Sequence, residues 1–167
     1  MREMPRGVLF LCYGNPARLD DALGAEFAAE LGRRVPVGVD IEVDYQLHVE
    51  HALDVAGHEC VVFVDAALDG VEPFSFQKIA PRLETSFTTH SVHPETLLGL
   101  ASSLFQARAD GYVLAIRGYE FDDFGETLSR RARRNLEAAL QFAVERLEKR
   151  DFEDAAHVGA QPPAPCC

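Results

Sequence analysis

Two hydrophobic periods alternate along the chain. The run VLFLCY, bounded by Gly7 and by the turn Gly14-Asn15-Pro16, is continuous rather than alternating and predicts a strand over residues 7–13 covered on both faces. The period then changes to that of a helix over residues 20–34, DDALGAEFAAELGRR. Leu23, Phe27 and Leu31 recur every fourth position, acids open the segment, and Arg33 and Arg34 close it. Alternation returns in VDIEVDYQL, residues 39–47, followed by a short helical stretch, VEHALDVAGHE, stopped near Gly57. The β-branched run CVVFVDAA, residues 60–67, is the strongest strand signal and places Asp65 near its end.

The second half repeats the rhythm less regularly. VEPFSFQKIA reads as an irregular extended stretch and SFTTHSVH as a polar loop. A helix is expected from Pro94, suited to a first turn, to about Arg108. GYVLAIRGYE is a further strand. The last helix, residues 129–150, carries Leu136, Leu140, Val144 and Leu147 on one stripe. Strands alternating with helices predict an α/β fold: a single-domain three-layer sandwich with a mostly parallel twisted sheet, right-handed crossovers and helices on both faces. Residues 1–150 form this domain in the expected layout, and residues 151–167, which lack periodicity and end in a Pro-rich Cys-Cys segment, form a disordered tail. Ligands of such folds bind beyond the carboxyl ends of the strands, the rim on which Asp20, Asp21, Asp65 and the TTHSVH loop would converge.

Charge narrows the partners. The formal net charge of −11, from 27 acids against 16 Lys and Arg, argues against a nucleic acid or an anionic membrane. The four cysteines set no disulfide framework, and the first apolar run is too short for a signal peptide. A cytoplasmic location is therefore the expectation.

Each candidate group has a plain structural reading beside a chemical one. Asp20 reads as a helix N-cap, while Asp21 is either a dipole partner or a ligand. Asp65 follows a buried strand, where a carboxylate needs a cation or donors to offset its desolvation. His90, in the Ser/Thr-rich loop, is a helix-entry cap or a metal ligand, and His93 competes with it. His48 and His51 would share a helix face as half a metal site without a nearby third ligand, so a solvated face is the reading; His58 and His157 carry no signal. Cys12 reads as a small buried hydrophobe. Two acids and a histidine from three loops of one rim make an oxygen-rich, open metal site. No G-x-S-x-G elbow and no H-E-x-x-H is present.

Taken together, CYGNPARLDDALG, VVFVDAAL and TTHSVHPETLLGLA, with the late GYEFDDFGETLSRRARRNLEAAL, resemble in order and distance the hydrogenase maturation proteases that process the large subunit of nickel-iron hydrogenases. The resemblance covers roughly residues 7–147. It implies a nickel-dependent endopeptidase that removes a C-terminal extension from the hydrogenase large-subunit precursor after metal insertion. The nickel arrives with the substrate and is contacted by Asp21, Asp65 and His90, which would serve as both metal ligands and catalytic residues. Gly14 and Asn15 belong to the substrate-binding turn. Two departures stand out: Cys12 replaces the first glycine of the turn, and DYQLHVEHA replaces a Gly-rich loop, leaving Gln46 or Glu50 to contact the precursor. A phospho-accepting receiver domain and a non-catalytic nickel-binding chaperone are the alternatives. Against the receiver, Asp20 lies six residues beyond Gly14 and the last strand continues into Arg117 rather than a lysine.

Overall fold

The computed structural model describes residues 6–35, 37–83 and 92–153. The elements are β1 (Arg6–Tyr13), a 3-10 turn (Leu19–Ala22), α1 (Leu23–Gly32), β2 (Val39–Asp44), α2 (His51–Ala56), β3 (His58–Ala67), β4 (Phe74–Ile79), α3 (Pro94–Phe105), β5 (Asp110–Arg117) and α4 (Arg130–Lys149). The five strands form one sheet in the order β2-β1-β3-β5-β4, parallel except for β4. The mostly parallel α/β sandwich expected from the hydrophobic periods is the observed fold.

The continuous apolar runs have a direct cause. Phe10 and Cys12 on β1, with Val62 and Val64 on β3, face a core shared with Phe27 and Leu31 of α1 and Leu136 and Leu140 of α4. The residues between them, Leu9, Leu11, Val61 and Phe63, face a second core closed by Val55 of α2 and Leu97 and Leu98 of α3. Because both faces of the central strands are buried, their middles are wholly apolar and polar side chains are confined to the strand ends.

The stretch expected to be irregular is a strand. β4 pairs antiparallel with β5, Phe76 opposite Leu114, and closes one edge of the sheet. Its alternation is short, but Phe74 and Phe76 both reach the core. Phe76 stacks on Tyr112 at 5.2 Å between ring centroids and meets Phe142 of α4 edge-on at 5.0 Å. Other boundaries move by a few residues. β2 ends at Asp44, three residues early, because Leu47 turns away to enter the second core. α3 stops at Phe105, where Gln106 takes a left-handed φ of 56°. α4 is capped by Ser129, whose side chain accepts from the Ala132 N–H. The first core extends to Phe152, packed against Phe10 at 6.3 Å; residues 154–167, most of the expected tail, lie outside the described residues. No helix among the described residues is long and apolar enough to cross a membrane.

If β4 is a packed strand, Phe76→Ala should lower unfolding free energy in urea by about 3–5 kcal/mol, the usual cost of emptying a buried aromatic site. A loss within about 0.5 kcal/mol, as at an exposed loop, would contradict it.

Candidate functional site

The carboxyl end of β1 is shaped by two close approaches that only glycine permits. Gly14 has a φ of +139°, and a Cβ there would lie 2.2 Å from the Asp21 carbonyl oxygen. A Cβ on Gly24 would lie 2.3 Å from the carbonyl oxygen of Tyr13. The start of α1 is therefore pressed directly against the end of the strand. Between the two, Asn15 folds the turn by accepting the Ala17 N–H at 2.9 Å, and its own N–H donates to Asp21 Oδ2 at 3.0 Å. One backbone donor thus fixes the Asp21 carboxylate beside the turn.

Asp20 does not cap the helix it precedes. Neither the 3-10 turn nor α1 has a side-chain cap, and the Asp20 carboxylate, fully buried, points across the molecule. It accepts from the backbone N–H groups of Tyr119 (2.8 Å), Glu120 (3.0 Å) and Ser129 (2.7 Å) and from the Ser129 hydroxyl (2.8 Å). Burial opposes its charge, but these bonds outweigh burial and hold the carboxyl below its usual range. The second acid, Asp21, is left free for the rim.

Asp65 occupies the neighbouring strand end. The β1–β3 register pairs Cys12 with Val64, so the next pair outward is Tyr13 beside Asp65. Burial pushes the Asp65 carboxyl up to about 6; the Ala66 N–H, at 2.8 Å, works against this, and the charge of Asp21 adds to it. The charge of Asp21 thus reaches the Asp65 carboxyl at the head of the parallel sheet. Burial, followed by the charges of Asp65 and Glu95, keeps the Tyr13 phenol protonated. Neither Tyr13 nor Glu95 of α3 was evident from sequence. The signal for Tyr13 was its position one residue before the Gly14 turn; Glu95 offered only its place in a first helical turn.

His90, with residues 84–91, lies outside the described residues. His93 is the N-cap of α3, but its side chain makes no capping bond. Gln46 and Glu50 are exposed on the segment linking β2 to α2. On that segment the histidines expected on a solvated face meet Asp44. His51 Nε2 lies 3.5 Å from Asp44 Oδ2 and His48 Nε2 lies 3.7 Å from Oδ1. The His48 N–H donates to His51 Nδ1 at 2.9 Å, which puts the proton of a neutral ring on Nε2, facing Asp44, and suits an imidazole–carboxylate pair better than a metal ligand. Among the described residues no group of three or more His, Cys, Asp and Glu is placed to hold a metal ion. His58 is structural, with ring nitrogens 2.6 Å from the Asp54 carbonyl and 2.9 Å from Asp40 Oδ2. Burial pushes the Cys12 thiol upward and that of Cys60 up to about 12, so both remain protonated packing groups.

No family model and no curated protein sequence matches the chain. Solved structures do. The hydrogenase maturating endopeptidase HybD from E. coli is 20% identical and superposes with a TM-score of 0.65, over 88% of this chain and 94% of its own. The [NiFe] hydrogenase maturation protease HycI from Thermococcus kodakarensis KOD1 is 22% identical, with a TM-score of 0.68 over 86% and 93%. The hydrogenase 2 maturation peptidase from Thaumarchaeota archaeon SCGC_AB-539-E09 is 21% identical, with a TM-score of 0.63 over 85% and 98%. The chain has the fold of the hydrogenase maturation endopeptidases. The antiparallel β4 at the sheet edge also departs from the receiver alternative, whose 2-1-3-4-5 order is built from parallel strands.

The raised Asp65 carboxyl has a consequence for stability. Its native midpoint, about 6, exceeds the ordinary 3.8, so between these values the folded state binds more protons than the unfolded one and stability falls as pH rises. Asp65→Asn should therefore stabilise the protein by about 1–3 kcal/mol near neutral pH. In thermal melts the gain should shrink as pH falls from 6 towards 4. An equal or lower melting temperature for the variant at neutral pH would contradict the raised Asp65 carboxyl.

Proposed function

We propose that the protein is a nickel-dependent endopeptidase that removes the C-terminal extension of a nickel-iron hydrogenase large-subunit precursor once nickel has been inserted. The observation that carries this reading is the raised carboxyl of Asp65 at the end of β3, where burial and, after it, the charge of Asp21 both disfavour ionisation until a cation offsets them. Support comes from the fold shared with structures described as hydrogenase maturation endopeptidases, and from the Thr88-Thr89-His90 sequence ahead of α3.

In this reading nickel is the cargo of the substrate, held by the precursor's own thiolates. Asp21 and Asp65 supply oxygens and His90 a ring nitrogen, so docking becomes a test of whether the cargo is present. The Asn15 N–H keeps Asp21 oriented without neutralising it. Asp65, held near a midpoint of about 6, releases its proton readily when a cation approaches at neutral pH. Gly14 and Asn15 form the wall along which the peptide approaches, and orientation of the scissile bond there already lowers the barrier. A bound divalent ion would further polarise a carbonyl or activate a water.

The decisive experiment incubates nickel-loaded and nickel-free precursor with the wild-type chain and with Asp21→Asn, Asp65→Asn and His90→Ala. The wild type should cut only the loaded precursor, and each variant should lose at least about a hundredfold in rate while remaining folded. Normal cutting by Asp65→Asn would reject the site. Nickel-precursor binding without any cleavage would favour the chaperone, and labelling of Asp65 by acetyl phosphate would favour the receiver. Wild-type processing should also decline as pH drops below about 6, because protons then compete with the cation for Asp65; a rate flat through that range would remove Asp65 from the metal's ligands.

A further inference from the structure

β2 is the outermost strand on one side of the sheet, and no strand lies beyond it among the described residues. The Gly14 N–H donates to the Asp44 carbonyl at 3.1 Å, so Asp44 turns its backbone towards β1. By alternation, Ile41 and Val43 turn their N–H and C=O groups to the open edge. The Tyr45 N–H is taken up by Asp44 Oδ1 at 2.6 Å, which ends the available edge at the rim.

Beside this edge lies an open cleft of about 300 Å³ lined by Gly14, Pro16, Ala25, Val43, Asp44 and Tyr45. Its walls are mainly apolar, and Val43 and Tyr45, side by side on the rim, are 52% and 67% exposed. Gly14 is common to the cleft and to the seat of Asp21. The surrounding chain is acidic: residues 37–57 hold Asp40, Glu42, Asp44, Glu50 and Asp54 and no Lys or Arg. An unpaired edge, an apolar cleft and a one-sided charge occur together next to the proposed reaction centre.

We infer that an extended segment of the client's C-terminal region adds to β2 as an outer strand, placing an apolar side chain in the Pro16–Ala25–Val43–Tyr45 cleft and basic side chains against the acids of the β2–α2 segment. The proposal rests on the endopeptidase reading and deepens it, assigning client selection to the β2 edge. Main-chain bonds to Ile41 and Val43 supply affinity that is blind to sequence, while the cleft and the acids supply selectivity. A strand laid along this edge would run towards the rim and deliver the chain to Gly14 and Asp21.

The test separates docking from cleavage. A short synthetic peptide of alternating valine and arginine, and its valine-glutamate counterpart, are titrated into isotope-labelled protein without nickel. The basic peptide should bind saturably and slow hydrogen exchange at the Ile41 and Val43 amides by about tenfold or more. Its affinity should fall by at least about tenfold in Val43→Lys and in Tyr45→Ala, both exposed positions whose melting temperature should not change. In precursor processing the same two variants should raise KM and leave kcat near the wild-type value. Equal binding of the acidic peptide, protection elsewhere than β2, or unchanged KM in both variants would overturn the docking proposal while leaving the endopeptidase reading intact. β2 protection by the basic peptide without processing of loaded precursor by the wild type would instead remove the endopeptidase reading and keep the edge as a peptide-binding surface.

Discussion

A carboxylate removed from water must find donors, and Asp20 finds four of them between 99 and 109 residues further along the chain. That requirement ties the first strand-to-helix turn to the connection between β5 and α4. The Ser129 hydroxyl donates to Asp20 while its oxygen accepts from Ala132, so one side chain both satisfies the buried acid and starts the last helix. With Asp20 committed inward, the backbone of the 3-10 turn presents Asp21 to the rim, where Gly14 leaves room for it. The adjacent acids of the turn have opposite fates: one is held below its usual range by hydrogen bonds, and the other contributes the charge that helps raise Asp65.

This division of labour matches the chemistry proposed for the rim. An acid that stabilises the fold must be fully satisfied; an acid that receives a cation must not be. Among the described residues, Asp21 keeps one bond from Asn15, and Asp65 one from Ala66. Each is oriented but retains acceptor capacity. The resulting repulsion is a local sacrifice of stability of the kind found where a protein binds a charged partner. The charges of Asp65 and Glu95 both act on the Tyr13 phenol, so α3 contributes a further acid to the field around these strand ends.

How much of this could be read from the residues depends on the range of the interaction. The two central strands were legible because burial on both faces leaves an unbroken apolar run, and α4 because its stripe is long. β4 was not, since its Phe-Ser-Phe alternation spans few residues beside a proline and gains its meaning only from Tyr112 and Phe142. The acid pair and Asp65 could be placed on one rim from topology alone. The role of Asp20 could not, because its donors are remote in sequence and three of its four bonds come from backbone groups that carry no side-chain signature. Asp44 escaped notice for a related reason: a strand-end acid looks ordinary until the chain reverses and brings His48 and His51 back to it.

The electrostatic coupling across β1 and β3 can be observed without nickel, precursor or turnover. The direct measurement is a carbon-detected NMR titration of the Asp65 side-chain carboxyl in the wild type and in Asp21→Asn. The wild-type midpoint should lie near 6 and move down when the Asp21 charge is removed, yet stay above the ordinary 3.8 because burial is the larger cause. A wild-type midpoint at the ordinary value, or one indifferent to Asp21, would mean that the two carboxylates do not share a site.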